Sequence, residues 1–286
     1  MCRIFGFRSV LRSHVHRSLA SAENALAVQS ERHPDGWGVA YYVGHAPHLI
    51  KSAGSAMDDK LFHRVSGIIT SETVLAHIRR ATRGERTTLN SHPFQHGRWV
   101  MAHNGDVPGF SELRPVLMER IPPLLRGFVL GDTDSEVIFH LFLSHLAAQV
   151  ELDRRGTPLP AVIDALRKTV EQVRTVVRQA GADREPLLTL VVTDGEIMAG
   201  HRGGKELHLS THKAHCTERE ACPFLTPACE APTADGGHVN HLILSSEPLQ
   251  GENVWIELGE GEIAAVDHFM RFVHLDTNGA PHGESS

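Results

Sequence analysis

Short stretches of alternating hydrophobic and β-branched residues recur along most of this chain, a pattern typical of β-strands. Several are separated by compact turn sequences such as Asp194-Gly195. The predicted strands are residues 3–8, 37–43, 74–79, 98–103, 187–193, 197–201, 206–211, 241–246, 254–258, 262–266 and 269–275. A chain with so many strands must build β-sheets, and each sheet needs a second layer that buries its apolar face.

Helical spacing of apolar residues marks a second group of segments. The predicted helices cover residues 18–30, 134–150 and 160–180. Thr133 or Asp132 can cap the start of the middle helix, and Gly181 is placed to end the last one. This mixture predicts sheets that are covered by helices.

Length and composition are those of an ordinary globular chain. The 286 residues carry a net charge of −6 and 41% hydrophobic residues, and no apolar run approaches the ~20 residues of a membrane span. The N-terminal segment is broken by arginines, unlike a secretory signal, and four cysteines do not suggest a disulfide framework. We therefore expect a cytoplasmic protein with no nucleic-acid or membrane partner. Because no linker stands out, we expect one domain over residues 1–276 and a flexible tail over 277–286.

Cys2 is the strongest candidate for chemistry. If Met1 is removed, Cys2 becomes the first residue and carries a thiol and an α-amine on one Cα. An α-amine has a pKa of ~7.7–8, which suits a general base, whereas a free thiol has a pKa of ~8.5 and needs help at neutral pH. A cysteine at position 2 is weak evidence alone, so its interpretation depends on the rest of the first half of the chain.

Four other stretches admit both a structural and a chemical interpretation. They are residues 33–40 (HPDGWGVA), 76–84 (AHIRRATRG), 90–94 (NSHPF) with 99–106 (WVMAHNGD), and 131–136 (GDTDSE). Arg79 offers a planar fork that suits a carboxylate, or belongs to a basic surface cluster. Asn104 and Gly105 form a hairpin turn, or direct two N–H donors at one oxyanion. Asp134 serves the helix start, or binds an ammonium group in a pocket.

In this order, Cys2 and the four stretches resemble the class II glutamine amidotransferases, a family of N-terminal-nucleophile hydrolases. Residues 187–203 (LLTLVVTDGEIMAGHRG) and 242–249 (LILSSEPL) resemble the stand-alone subgroup, which includes proteins similar to the γ-glutamyl hydrolase of ergothioneine biosynthesis. The resemblance implies an α+β fold, namely a four-layer αββα sandwich of mostly antiparallel sheets. We expect no cofactor and no metal.

The resemblance also implies how the reaction runs. Cys2 would attack the side-chain amide carbonyl of glutamine or of a γ-glutamyl compound, and water would hydrolyse the resulting thioester. The α-amine of Cys2 would accept and return protons. Asn104 and the Gly105 N–H would stabilise the tetrahedral oxyanion.

Substrate binding is implied at four further positions. Arg79 would hold the substrate α-carboxylate, with Thr82 nearby. Asp134 would hold the α-ammonium group, and His92 would shape the pocket. Recognition of both α-substituents would orient the amide for attack.

Several alternatives stay open at the level of sequence. The released ammonia could pass to a separate synthase subunit, or an amine released from a larger γ-glutamyl conjugate could be the product. A regulatory or ammonia-supplying subunit with little activity alone is another interpretation. Cys216, Cys222 and Cys229 could form a metal site with nearby histidines, but they lack the CxxC spacing, which favours unpaired cysteines in an irregular loop over 211–240.

Overall fold

The fold is seen in a computed structural model, which describes residues 2–14, 19, 26–30, 34–80, 84–216, 219–220, 222–223, 225–234 and 236–281. The strands are β1 (Arg3–His14), β2 (Trp37–Val43), β3 (Ala46–Ser52), β4 (Thr70–Ile78), β5 (Phe94–His96), β6 (Trp99–Asp106), β7 (Leu187–Thr193), β8 (Met198–His201), β9 (His208–Ser210), β10 (His241–Ser245), β11 (Ile256–Glu257), β12 (Ile263–Val266) and β13 (Phe272–Leu275). The helices are α1 (Leu26–Gln29), α2 (Lys60–Ile68), α3 (Phe110–Glu119), α4 (Pro123–Arg126), α5 (Asp134–Ala147) and α6 (Leu159–Gln179).

The strands form two sheets. The first has seven strands in the order β11-β9-β10-β1-β4-β2-β3, and the second has six in the order β13-β12-β8-β7-β6-β5. Every ladder between these strands is antiparallel. The two sheets pack against each other, and β1 and β4 of the first sheet both contact β6 of the second.

Three apolar clusters show that the molecule has four layers. One cluster lies between the sheets and contains Ile4 and Leu75 from the first sheet and Ala102 from the second. Another joins the outer face of the six-stranded sheet to α3, α5 and α6, and the third joins the outer face of the seven-stranded sheet to α1 and α2. Successive strand residues point to opposite faces, so β6 sends Val100 and Ala102 inward and Trp99 and Met101 toward the helices. The αββα sandwich implied by the resemblance is therefore confirmed.

Most predicted elements are present, with shifted ends. The predictions for 37–43 and 187–193 match β2 and β7, and α5 and α6 fall on the segments 134–150 and 160–180. Of the predicted helix 18–30, the structure describes α1 and residues 19 and 30, while 18 and 20–25 lie outside the described residues.

Of the missed elements, β3, β5 and α3 had weak sequence signals, whereas α2 has a clear one in its Asp59 cap and its apolar face. β3 is an edge strand that contains a proline and is largely accessible, and β5 is only three residues long. α3 carries Pro115 inside the helix, which hides its helical pattern. β3 forms by pairing with β2, and β5 and α3 form where they pack on neighbouring elements, which a periodicity argument cannot detect.

The segment predicted to be irregular contains little regular structure. In residues 211–240 the described part has isolated bridges and a short 3₁₀ turn at Pro227–Cys229. Near the C-terminus, the Asp276 side chain accepts hydrogen bonds from the backbone N–H groups of Asn278 and Ala280 and so closes a turn. Within the described residues, no helix is both long and apolar enough to cross a bilayer.

Candidate active site

The thiol of Cys2 lies where the two central strands of the first sheet meet. Arg3 on β1 pairs with Ile78 on β4, so the residue before β1 is adjacent to the residues after β4. The Cys2 Sγ accepts a hydrogen bond from the Arg80 N–H at 3.3 Å and lies 3.4 Å from the Arg80 carbonyl oxygen. The strand register therefore fixes the sulfur beside the HIRR segment, although the two are far apart in sequence.

A small pocket opens around this sulfur. Its walls come from both sheets and from the start of α5, and they are formed by Cys2, Arg79, Arg80, His92, His103, Gly105, Thr133, Asp134 and Ser135. Five of the seven site residues named from the sequence lie in this lining. The tertiary structure thus brings together residues from five separate segments.

The environment of the thiol favours its protonated form. Burial raises the pKa of Cys2 above the ordinary value of a thiol, and this effect outweighs the hydrogen bond from the Arg80 N–H and the positive charge of Arg79, both of which lower it. A buried thiol of this kind needs a base to become a nucleophile at neutral pH.

Arg79 places a buried positive charge in the wall of the pocket. Its side chain is 3% exposed, and its Nη1 and Nη2 donate to the carbonyl oxygens of Glu85 and Gly84 at 3.1 and 3.4 Å. Burial lowers the pKa of the Arg79 guanidinium, and the charge of Cys2 and the Asp35 carboxylate oppose this effect. An arginine keeps its charge despite such a shift, so the pocket is suited to an anionic group.

The DGWG segment (residues 35–38) forms hydrogen bonds to the backbone of Arg79. The Arg79 N–H donates to the Gly36 carbonyl at 2.7 Å, and the Asp35 N–H donates to the Arg79 carbonyl at 3.2 Å. Asp35 also forms an ion pair with Arg86 at 2.6 Å. The tight backbone geometry predicted for this segment thus holds the end of β4 in place.

Asp134 lies at the first turn of α5 but does not cap it. Thr133 is the cap, and its Oγ1 accepts from the Glu136 N–H at 3.3 Å. The Asp134 carboxylate instead accepts the Val107 N–H at Oδ2 (2.8 Å) and the Ser135 N–H at Oδ1 (2.9 Å). It is buried at the pocket wall, where a negative charge can meet a cation.

Asn104 and Gly105 lie inside β6 and not in a hairpin turn, so the turn interpretation is wrong. They pair with Thr189 and Leu188 of β7. Gly105 lines the pocket, whereas Asn104 is buried beside it and is not part of the lining. A Cβ at Gly105 would overlap the Leu187 carbonyl oxygen and His103 Nε2, so only glycine fits here.

The buried imidazole ring of His92 forms part of the pocket wall. The ring is tilted by 36° against the ring of His77 (centroids 4.2 Å apart) and forms an edge contact with Phe94 (4.8 Å). Burial, together with the nearby charges of His77, His103, Arg79 and Lys51, lowers the pKa of His92 well below its ordinary value, so the ring is neutral. Neither of its ring nitrogens has a hydrogen-bond partner among the described residues. Thr82 lies outside the described residues.

The structure adds residues that the motifs contained but to which no role was assigned. His103 Nδ1 lies 2.8 Å from Ser135 Oγ, and both side chains line the pocket. Their presence in the WVMAHNGD and GDTDSE stretches was the available signal, but only the fold shows that the two stretches touch.

Asn90 also joins two segments of the site. Its Oδ1 accepts the Asp132 N–H at 2.9 Å, and its Nδ2 donates to the Glu85 carbonyl at 3.1 Å. Glu136 completes the connection, since its carboxylate accepts the N–H groups of Leu130 and Gly131. These bonds attach the segment after β4 to the start of α5.

Metal ligands are not clustered in the part of the chain that the structure describes. No group of three or more His, Cys, Asp or Glu side chains there could hold a metal ion. Cys216, Cys222 and Cys229 are free thiols. The Cys229 sulfur accepts a hydrogen bond from Asn240 Nδ2 at 2.9 Å.

Comparison with known proteins identifies the class. Residues 1–276 match the family of class II glutamine amidotransferases. A probable glutamine amidotransferase, DUG3 of Saccharomyces cerevisiae, is 28% identical over 232 residues, which are 71% of this chain and 63% of the yeast protein. The γ-glutamyl-hercynylcysteine sulfoxide hydrolase of Mycobacterium tuberculosis is 39% identical over 74 residues, which are 26% of this chain and 32% of that protein.

A solved structure supports the fold over nearly the whole chain. The glutamine aminotransferase class-II domain protein of Silicibacter pomeroyi superimposes with a TM-score of 0.65 at 20% identity and covers 96% of this chain and 99% of its own. The sandwich is the N-terminal-nucleophile hydrolase fold. The chain belongs to the class II glutamine amidotransferases.

Proposed function

We propose that this protein hydrolyses the γ-glutamyl amide bond of glutamine, or of a γ-glutamyl conjugate, through a thioester on Cys2. One observation carries the proposal. The Cys2 sulfur lies in a single pocket with a buried cation, Arg79, and a buried anion, Asp134. An amino acid carries both complementary charges on its α-carbon, so the pocket suits the α-substituents of a γ-glutamyl group.

In this proposal each charge binds one substituent. Arg79 binds the substrate α-carboxylate, and Asp134 binds the α-ammonium group through its carboxylate oxygens. Thr82 is expected near the carboxylate, and His92 forms the neutral wall that supports the methylene chain. Binding of both α-substituents fixes the γ-carbonyl of the substrate next to the Cys2 sulfur.

The chemistry begins once removal of Met1 has freed the α-amine of Cys2. The amine takes the thiol proton, and the sulfur forms a bond to the γ-carbonyl carbon. The oxyanion is stabilised by the Asn104 amide and the Gly105 N–H. This tetrahedral species then breaks its C–N bond, and the amine group of Cys2 returns the proton to the departing ammonia or amine.

Water completes the cycle. It gives its proton to the α-amine and adds to the thioester carbonyl, and the C–S bond breaks to release glutamate and regenerate the thiol. The raised pKa of the buried thiol supports the need for such a base. No cofactor takes part in this scheme.

The proposal has three variants, which differ in the leaving group or in the need for a partner subunit. With glutamine the product is ammonia, which a separate synthase subunit could collect. A γ-glutamyl conjugate would release a larger amine, and the partial similarity to the mycobacterial hydrolase supports this variant. In the third variant the chain is a regulatory or ammonia-supplying subunit with little activity alone.

We expect a single domain over residues 1–276 with a flexible tail over 277–286, acting in the cytoplasm.

Intact-mass spectrometry tests the nucleophile. The purified protein is treated with a diazo-ketone analogue of glutamine, and we expect loss of Met1 and one covalent adduct on residue 2. Cys2→Ala removes both the adduct and turnover, whereas Cys222→Ala, which changes another partly accessible free thiol, retains both. An active preparation that keeps Met1, or an active Cys2→Ala variant, overturns the proposal.

Substrate comparison then separates the variants. The ratio kcat/KM is measured for glutamine, for small γ-glutamyl dipeptides and for larger γ-glutamyl amides. A preference for larger amides supports the conjugate hydrolase, and a preference for glutamine supports the glutaminase. Low turnover of all of them despite stoichiometric labelling of Cys2 indicates a subunit that needs its partner.

A further inference from the structure

His103 lies on β6, and its ring forms hydrogen bonds to β7 and to the start of α5. Its Nε2 lies 2.8 Å from the carbonyl oxygen of Leu187, and its Nδ1 lies 2.8 Å from Ser135 Oγ. A carbonyl oxygen only accepts, so Nε2 carries the hydrogen. In the neutral ring Nδ1 is then an acceptor, and the Ser135 hydroxyl lies between two acceptors, His103 Nδ1 at 2.8 Å and Asp134 Oδ1 at 3.3 Å.

Ser135 in turn bonds to the carboxylate of Asp134. Its backbone N–H donates to Asp134 Oδ1 at 2.9 Å, while the Val107 N–H holds Oδ2 at 2.8 Å. His103 directly precedes Asn104 on β6, and Val107 follows Gly105 with only Asp106 between them. The strand segment with the oxyanion donors is therefore attached to the start of α5 on both sides.

The same imidazole also touches the oxyanion segment itself. The position where a Cβ of Gly105 would lie is occupied by His103 Nε2 and the Leu187 carbonyl oxygen. His103 thus packs against the backbone of Gly105 while its other nitrogen bonds to Ser135. Both contacts are buried, since His103 is 1% exposed and Ser135 is 5% exposed.

We propose that His103, acting through Ser135, is a positioning residue that fixes the Asp134 carboxylate relative to the oxyanion donors of β6. This inference rests on the proposed hydrolysis of a γ-glutamyl amide. A ligand whose ammonium group binds Asp134 then has its γ-carbonyl in register with Asn104 and Gly105. His103 itself touches neither the reacting sulfur nor the γ-carbonyl in this role.

The role predicts a defect that depends on the substrate's α-ammonium group. Glutaramate is glutamine without its α-amino group, so it cannot use Asp134. We expect Ser135→Ala and His103→Ala each to lower kcat/KM about tenfold on glutamine and less than about twofold on glutaramate. The double variant Ser135→Ala/His103→Ala is expected to lose no more than either single variant, because both remove the same bond.

A conservative variant provides the rescue. In His103→Asn the side-chain oxygen lies near the former Nδ1 and still accepts from Ser135, so activity on glutamine recovers relative to His103→Ala. The matched controls are His201→Asn and Ser144→Ala. His201 is buried on β8 and bonds the Leu188 carbonyl, and Ser144 lies on α5 and bonds the His140 carbonyl. Both are outside the pocket lining and are expected to keep wild-type values at neutral pH.

The outcomes distinguish this inference from the proposed function. Equal losses on glutamine and glutaramate, or wild-type kinetics for Ser135→Ala, overturn the positioning role while Cys2→Ala remains inactive. An active Cys2→Ala variant overturns the proposed function instead. If turnover of glutaramate is too slow to measure, calorimetric affinities for glutamate and glutarate give the same comparison, and a Ser135→Ala variant that weakens both equally counts against the role.

Discussion

The backbone N–H of Val107 donates a 2.8 Å hydrogen bond to Oδ2 of Asp134, so the end of β6 is attached directly to the first residue of α5. This bond leaves one oxygen of a pocket carboxylate buried and hydrogen-bonded. A strand from a sheet and a helix from the outer layer are therefore joined directly at the site.

Asp134→Asn removes the negative charge but keeps an oxygen that can accept from Val107. We expect kcat/KM for glutamine to fall about a hundredfold, because a charge-assisted contact to the α-ammonium group is lost. The thermal unfolding midpoint should also fall, because the amide NH2 then faces the Ser135 N–H in place of an accepting oxygen. Asp59→Asn is the matched control, since Asp59 caps α2 away from the pocket and its loss affects stability but not turnover. Equal activity of Asp134→Asn and wild type would contradict the assignment.

Gly105→Ala tests the close approach of β6 to Leu187 on β7. The added Cβ would overlap the Leu187 carbonyl, so we expect a loss of about 3 kcal/mol or more in the free energy of unfolding, together with loss of turnover. Chemical denaturation measures the first and ammonia release the second. Gly127→Ala is the control, because a Cβ added at Gly127 would have no neighbouring atom within 4 Å. A stable, active Gly105→Ala enzyme would show that this contact is not tight.

Asn90→Ala disconnects the segment after β4 from the start of α5. Asp132 N–H and the Glu85 carbonyl both lose a buried partner, which we expect to cost about 2 kcal/mol and to raise KM more than it lowers kcat. Steady-state kinetics and denaturation provide the measurements. Asn278→Ala in the exposed C-terminal turn should leave both unchanged. An unchanged KM in Asn90→Ala would mean that the two hydrogen bonds of the Asn90 side chain do not hold the pocket wall in place.

Stability should fall in mild acid. Burial lowers the pKa of His201 to about 4, whereas an unfolded histidine has a pKa of ~6.5. Between these values the unfolded chain binds a proton that the folded chain does not, so the free energy of unfolding decreases as pH falls. At pH 5 the decrease from this residue is about 2 kcal/mol. Denaturation curves between pH 7 and 5 measure it, and His201→Asn should show a smaller decrease; an identical slope in the variant would refute the assignment.

Much of the strand pattern could be predicted from the sequence, because alternation along a strand reflects burial on one face. β2 and β7 show this pattern over their full lengths, and α5 and α6 show the helical period. α3 and β5 could not be found in this way. Their formation depends on burial against other layers, which leaves little trace in a short or proline-containing segment.

The site was predictable in its residue types and less so in its contacts. The sequence singled out Cys2, Arg79 and Asp134, and the structure places all three in one pocket. It also favoured a turn at Asn104-Gly105, where the structure has a strand. An Asn-Gly pair has the same local preference in either case, and the pairing of β6 with β7 decides the outcome.

The sequence by itself determined the kinds of group available: a thiol at position 2, an arginine after a strand, an aspartate at the start of a helix, and the alternating patterns that build two covered sheets. Only the tertiary structure decided that Cys2 lies against Arg80, that His103 meets Ser135, and that Val107 holds Asp134. The physical reason is that these contacts join residues from different layers. Their distances are set by strand register and by the packing of sheet against helix, and no local sequence preference encodes either.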